Sequence, residues 1–284
     1  MSLKRLISCL VNKLGMKVRH GERSDPNVPL PPFSVMKNNR KIMTVNADAG
    51  SDGDEIGLSF VKVEGLFDSE KIKICKVSVD DLHKVAFHLA SVVQDSSWIN
   101  ALDRRAQRAY RDTAAQTANK LVDIFNNAND EEGIGKELGE LVVSMGSAKG
   151  LNEIFSHYIV PLAELWKPQL SGNEGYDFHT VCGQNYINFG EAKFKSSGSA
   201  YASAMNQVEG FVAERKHRRD AVHLENMVSE AAMDNLDHDE FGLVFAFSMN
   251  TKNPLQIMIN AVGKLTKTFD VNEFKVFYLV GVEH

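Results

Sequence analysis

Short runs in which apolar and polar residues alternate mark half-buried strands, and longer stretches with a period near 3.6 mark helices. "KIMTVNAD" (41–48), "IGLSFVKV" (56–63) and "KIKICKVS" (71–78) read as strands joined by turn-rich pieces. "DDLHKVAFHLASVV" (80–93) opens on acidic capping residues and continues at helical spacing. "ALDRRAQRAYRDTAAQTANKLVDIFN" (101–126) is a long helix without Gly or Pro, broken by "NNANDEEG". "GKELGELVVSMG" (135–146) is again helical, and "HYIVPLAELW" (157–166) has room for a short strand that Pro161 confines to an edge or a strand end. Two runs follow, 175–182 and 186–194, separated by "GQN". Helices at 199–216 and 220–233 come next. The chain then reads strand, helix, strand at 241–249, 255–265 and 274–282. The order predicts a mixed α/β protein with no internal repeat.

Near the N-terminus, Leu3, Leu6, Ile7, Leu10, Val11 and Leu14 share one helical face, which reads as a helix docked on the body or on a partner. "GERSDPNVPLPPF" (21–33) holds four of the seven prolines and reads as a linker or an extended surface segment.

The two runs around "GQN" carry the chemistry. Successive side chains of a strand point to opposite faces. Ile187, Phe189, Glu191 and Lys193 therefore share one face, and Asp177, His179 and Val181 share a face of the preceding run. With "GQN" (183–185) as a three-residue hairpin loop, Val181 meets Ile187, His179 meets Phe189 and Asp177 meets Glu191. Lys193 then lies one step beyond. A slip of one residue would send Asp177 to the other face. Facing carboxylates raise each other's pKa, and a divalent cation relieves the conflict. Oxygen ligands of this kind suit Mg²⁺ (or Mn²⁺), which keeps several waters and accepts phosphate oxygens. A cation so placed activates water for phosphodiester hydrolysis, with Lys193 orienting that water or offsetting the developing charge. A structural ion-pair network is the plainer alternative.

The E-x-K spacing by itself is weak, because Glu214/Lys216 and Glu273/Lys275 repeat it. Only Glu191/Lys193 has an acid at hairpin distance upstream, small residues on the back face and a helix after it. "GYDFH" (175–179), "NFGEAKF" (188–194) and a following helix carrying Gln207 resemble the core of PD-(D/E)xK nucleases. With "GELVV" (139–143) in front, the order resembles the nuclease subunits of Hachiman anti-phage defence systems (HamA) across about residues 130–284. This resemblance implies a restriction-endonuclease-like mixed sheet flanked by helices, preceded by an N-terminal α+β region. It places metal ligands on Asp177 and Glu191, the lysine on Lys193 and a first-helix glutamate on Glu140, with Glu137 as competitor. Tyr176 stands where the superfamily often has Pro. The resemblance further implies a DNA nuclease of little sequence preference, held by a helicase subunit. The resulting division is a partner-binding region, 1–128, and a nuclease core, 129–284. Gln207 sits two turns into its helix, within reach of the site or packed elsewhere. His179 stands just behind the acids or is a core histidine.

Composition narrows the picture only a little. The 284 residues are 43% hydrophobic and 24% charged, an ordinary globular profile, and the net charge of −5 gives no overall basic field. Three widely spaced cysteines, Cys9, Cys75 and Cys182, form no disulfide framework or zinc pattern and point to a reducing cytoplasm. No apolar stretch has the length of a membrane span. "ERKHRRD" (214–220) clusters Arg215, Lys216, Arg218 and Arg219, candidates for phosphate contact, although helix C-termini favour cations anyway. "RRAQRAYR" (104–111) is a weaker candidate of the same kind.

Two look-alikes fail. "DAGSDGDEIGLS" (48–59) lacks the final glutamate of a calcium loop, and "AVGKLTKT" (261–268) lacks the hydroxyl residue and first glycine of a phosphate-binding loop. A motor, if there is one, is a separate partner. The functional expectation is a metal-dependent nuclease acting as a defence effector, and its rival is a non-catalytic adaptor subunit.

Overall fold

The computed structural model describes residues 53–67, 69–126, 135–167 and 175–284. All fall in the compact unit Thr44–His284. The expected helix at 3–14, the proline-rich segment 21–33 and the strand at 41–48 lie outside the described residues.

The elements run α1 (Gly53–Ile56), β1 (Leu58–Lys62), β2 (Ile72–Val79), α2 (Leu82–Gln94), α3 (Ser97–Asn100), α4 (Arg104–Asn126) and α5 (Lys136–Phe155). Then come β3 (Tyr158–Ile159), α6 (Ala163–Trp166), β4 (Phe178–Val181), β5 (Ile187–Lys193) and α7 (Ala200–Ala213). The chain closes with α8 (Lys216–Leu224), α9 (Glu230–Asp237), β6 (Gly242–Met249), α10 (Pro254–Thr268) and β7 (Val276–Glu283). The strands form one seven-stranded mixed sheet in the order β1-β2-β7-β6-β5-β4-β3. The inner pairs β2/β7, β7/β6 and β6/β5 are parallel, and the outer pairs are antiparallel. The architecture is mixed α/β, as the pattern predicts. β1 and β2 join the same sheet as β4 to β7, so the sheet spans the boundary expected near residue 128.

Parallel strands covered on both sides are apolar on both faces. β6 is buried along its whole length and β7 everywhere but at Glu283. Helices cover the two faces. α5 lies against the face of Phe194, and Gly139 makes this possible: a Cβ there would sit 2.3 Å from the Phe194 ring. α7 covers the opposite face, where Tyr201 meets Phe247, the register partner of Lys193. Side-chain caps fix the helix starts, with Asp81 on Lys84 N–H, Ser199 on Ala202 N–H and Asn253 on Gln256 N–H before Pro254.

The hairpin has the register read from the loop count. Val181 pairs with Ile187, Thr180 with Asn188, His179 with Phe189 and Phe178 with Gly190. Asn185 takes the left-handed conformation (φ 60°) that closes a three-residue loop, and its N–H donates to Cys182 O. Pro161 follows the exposed two-residue edge strand β3.

The helices after the hairpin differ from expectation. The predicted helix 199–216 ends at Ala213, and that predicted for 220–233 is two pieces, α8 and α9. Arg215 has φ 54° and turns the chain between α7 and α8. No sequence rule anticipates a non-glycine residue there.

Candidate functional site

β5 ends between α5 and α7, which pack against it from opposite faces of the sheet. A cavity of about 770 Å³ opens at this point, lined by Lys136, Glu140, Asp177, Lys193, Lys195 and Gln207 among others. The C-terminal end of a parallel strand is the usual place for a site in an α/β sheet.

Asp177 precedes β4, and its N–H donates at 2.8 Å to the carbonyl of Gly190, the residue that already pairs with Phe178, so the regular ladder stops at Phe178↔Gly190 and does not extend to a pair of Asp177 with Glu191. Asp177 Oδ2 accepts a hydrogen bond from Ala192 N–H at 2.7 Å. Glu191 is fully buried. Its Oε1 lies 2.6 Å from Lys193 Nζ in an ion pair that lacks hydrogen-bond direction, and its Oε2 has no hydrogen-bond partner. Lys193 keeps a fifth of its side chain open to the cavity. The three charged groups thus gather at the end of β5, but Asp177 is held there by its side-chain bond to Ala192 N–H and not by the expected pairing with Glu191.

Glu140 and Gln207 line the same cavity from α5 and α7. Glu137, one turn earlier, is exposed and does not line it.

Burial dominates the electrostatics. It pushes Asp177 up to about 6, against the Ala192 N–H and the cations Lys193 and Lys167, with Glu140 adding to the rise. Burial and the Asp177 charge hold Glu191 well above the ordinary carboxylate range, against the pull of Lys193. For Lys193, burial opposes the charge, but Glu191, Asp177 and Glu140 outweigh it and raise the ammonium. Carboxylates this crowded are the environment a cation relieves.

Among the described residues, no group of three or more His, Cys, Asp or Glu side chains stands close enough to hold a metal by itself. Of the carboxylates, Asp177 and Glu140 line the cavity, and Glu191 lies buried behind its lining with Oε2 unpartnered. That set fits an ion held by one or two carboxylates and completed by water and phosphate oxygens, and it does not fit a closed protein cage.

The basic cluster lies off the cavity lining. Lys216 is buried, its Nζ 4.1 Å from the Phe211 ring centroid and 3.6 Å from Glu214. Arg218 pairs with Asp239 at 2.7 Å, while Arg215 and Arg219 are exposed. The cations at the cavity are Lys136, Lys193 and Lys195, beside Ser196 and Ser197. Sequence reasoning passed over Lys136 and Lys195, although Lys195 directly follows the "EAKF" run.

It also missed two groups behind the acids. Glu164 on α6 has a buried Oε2 without a partner, and burial, then the Asp177 charge, push it up to about 7. Asp220 on α8 joins Lys167 (2.8 Å) and His179 (2.9 Å) through one oxygen. Burial and Lys167 favour the neutral form of His179 over the pull of Asp220, so its Nε2–H is the donor.

No protein-family model matches this chain, and comparison with curated proteins and with solved structures returns no similar one. Among the described residues, no helix is long and apolar enough to cross a membrane.

Proposed function

We propose that this chain is a metal-dependent nuclease of the PD-(D/E)xK type, with a restriction-endonuclease-like core, that hydrolyses DNA phosphodiesters. The observation that carries the reading is Glu191: a fully buried carboxylate with one oxygen unpartnered, ion-paired to Lys193 and set directly behind a cavity that Lys193 and Asp177 line. A buried charge left half satisfied costs several kcal/mol, and an apolar residue would pack the sheet better. Such a cost is characteristic of functional sites.

Asp177 and Glu191 would hold Mg²⁺ or Mn²⁺, with Glu140 completing the shell through water. Such an ion, when bound, would supply an activated water and offset charge on the attacked phosphate. Lys193, held charged by the acids, would orient the attacking water and counter the developing negative charge. Gln207, from α7, provides an amide on the far wall of the cavity for a substrate phosphate or sugar oxygen. The hydrogen bond from Ala192 N–H fixes Asp177 against the strand that carries its two partners.

The sequence resemblance extends the proposal to a cytoplasmic effector in Hachiman-type anti-phage defence, with a helicase subunit as partner and DNA as substrate. The experiment is loss of plasmid DNA with Mg²⁺, for wild type and Glu191→Ala, with and without EDTA. Degradation by the wild type alone, stopped by EDTA, is the expected result. Indistinguishable behaviour of the two proteins would leave the adaptor reading, in which the trio only pins the sheet.

A further inference from the structure

Asp177 does not hold its place through Ala192 alone. The Lys167 ammonium donates to the carbonyl of Tyr176, the residue before Asp177, at 2.7 Å. The same nitrogen lies 2.8 Å from Asp220 Oδ2. That oxygen also accepts from His179 Nε2, two residues after Asp177, at 2.9 Å. One carboxylate on α8 therefore grips the chain on both sides of Asp177, on one side through Lys167 and on the other through His179.

Asp220 and His179 are buried, and Lys167 is only 16% exposed. Gly175 leaves the passage open, because a Cβ there would sit 2.8 Å from Lys167 Nζ and 3.4 Å from Asp220 Oδ1. The Trp166 ring lies 5.2 Å from the ammonium and 5.3 Å from the His179 ring, which closes the network on its outer side. Burial opposes ionisation of Asp220, but the bonds from His179 and Lys167 hold its carboxyl below the usual range, so Asp220 is the ionised member at the centre of the network. None of these three side chains lines the cavity.

We infer that Lys167 and Asp220 are positioning residues: they brace the backbone on either side of Asp177 and thereby set the affinity of the Asp177–Glu191 pair for a divalent cation. The inference rests on the metal-site reading above. Outer partners that orient a metal-binding carboxylate characteristically change affinity by about 10–100-fold when removed.

The test is Mn²⁺ binding to the full chain, followed by electron paramagnetic resonance, with plasmid degradation measured in parallel. Lys167→Met is expected to weaken Mn²⁺ binding about 10-fold. Asp220→Asn, which keeps one acceptor oxygen, is expected to fall between it and the wild type. His157→Phe is the control. It breaks a buried network to Thr180 and Tyr278 (2.9 and 3.0 Å) away from the cavity and is expected to lower melting temperature without changing Mn²⁺ affinity. If Lys167→Met does not fold, Gly175→Ala displaces the same ammonium and carries the same expectation. Wild-type Mn²⁺ affinity in a folded Lys167→Met or Gly175→Ala protein overturns the inference and leaves the metal-site reading standing. A wild-type chain that binds no Mn²⁺ overturns both. Weakened Mn²⁺ binding in a set of proteins that never degrade DNA supports the inference and ends the nuclease reading.

Discussion

Asp177 Oδ2 accepts the backbone N–H of Ala192, the residue between Glu191 and Lys193, at 2.7 Å. The acid of one strand is therefore tied to the midpoint of the E-x-K unit on the next. A side chain so held keeps its position even when its charge changes. Asp177→Asn retains an oxygen for Ala192 and should stay folded, with a melting temperature within a few degrees of the wild type. Mg²⁺-dependent DNA degradation should fall by roughly 100-fold or more, since the cation loses a charged ligand. Retained activity in a folded Asp177→Asn protein would remove Asp177 from the site.

Glu191→Gln separates activity from stability more sharply. The substitution removes a buried charge whose second oxygen is unpartnered, and Lys193 still reaches the cavity. Taking away one partner of a buried ion pair costs stability, but Lys193 stays near Asp177 and partly open to the cavity, so the metal-free protein is expected to lose about 1 kcal/mol, a fall of about 2–4 °C in melting temperature. Cleavage should be abolished in the same variant. Calorimetry and the plasmid assay check the two halves independently. A large drop in melting temperature would mean that Glu191 serves the fold.

The acids also predict how stability follows pH. Asp177 is raised from an ordinary value of 3.8 to about 6, and Glu164 from 4.5 to about 7. Each binds its proton more tightly folded than unfolded, so folding is favoured at low pH and the advantage is lost as pH climbs. The loss runs from about 4 to above 6 for Asp177 and reaches past 7 for Glu164. Its size for Asp177 is on the order of 2 kcal/mol once solvent at the cavity is allowed for. Burial lowers His157 to about 4 and acts in the opposite sense, so the acid's part is read as a difference: between pH 5 and pH 8 the metal-free wild type should lose more melting temperature, or gain less, than Asp177→Asn does. Added Mn²⁺ should raise the melting temperature more at pH 8, where the ligands are deprotonated. Equal Mn²⁺ shifts at both pH values would exclude Asp177 as its ligand.

How much of this was legible in the sequence follows from how local each feature is. The hairpin register needed only a three-residue loop and alternating faces, and Val181↔Ile187 through Phe178↔Gly190 follow from that count. The shared face of Glu191 and Lys193 was legible for the same reason, whereas Asp177 reaches them through a break in the ladder and a side-chain bond to Ala192 N–H that the count does not foresee. The break at Arg215 was not, because a left-handed non-glycine residue is imposed by packing between two helices. Nor was the Lys167–Asp220–His179 network, whose members are 53 and 41 residues apart and meet only through the tertiary fold. Glu164 carried no motif at all; only its burial beside Asp177 singles it out.

The cations at the cavity give a prediction about DNA. Lys136 and Lys195 are exposed and line the cavity with Lys193, whereas Lys216 is buried and Arg218 is paired with Asp239. Lys136 lies in the first turn of α5, where a cation opposes the helix dipole, so its position does not serve the helix. Lys136→Ala and Lys195→Ala should each weaken binding to duplex or single-stranded DNA uniformly across sequences and lower the salt dependence by about one phosphate contact. Lys216→Ala should instead cost stability through lost contact with Phe211. Arg218→Ala should change stability by no more than about 0.5 kcal/mol, because its ion pair is half exposed on both sides. Salt titrations of DNA affinity across the four variants check the assignment. A loss of salt dependence confined to Arg218→Ala would move the DNA path away from the cavity and onto α8.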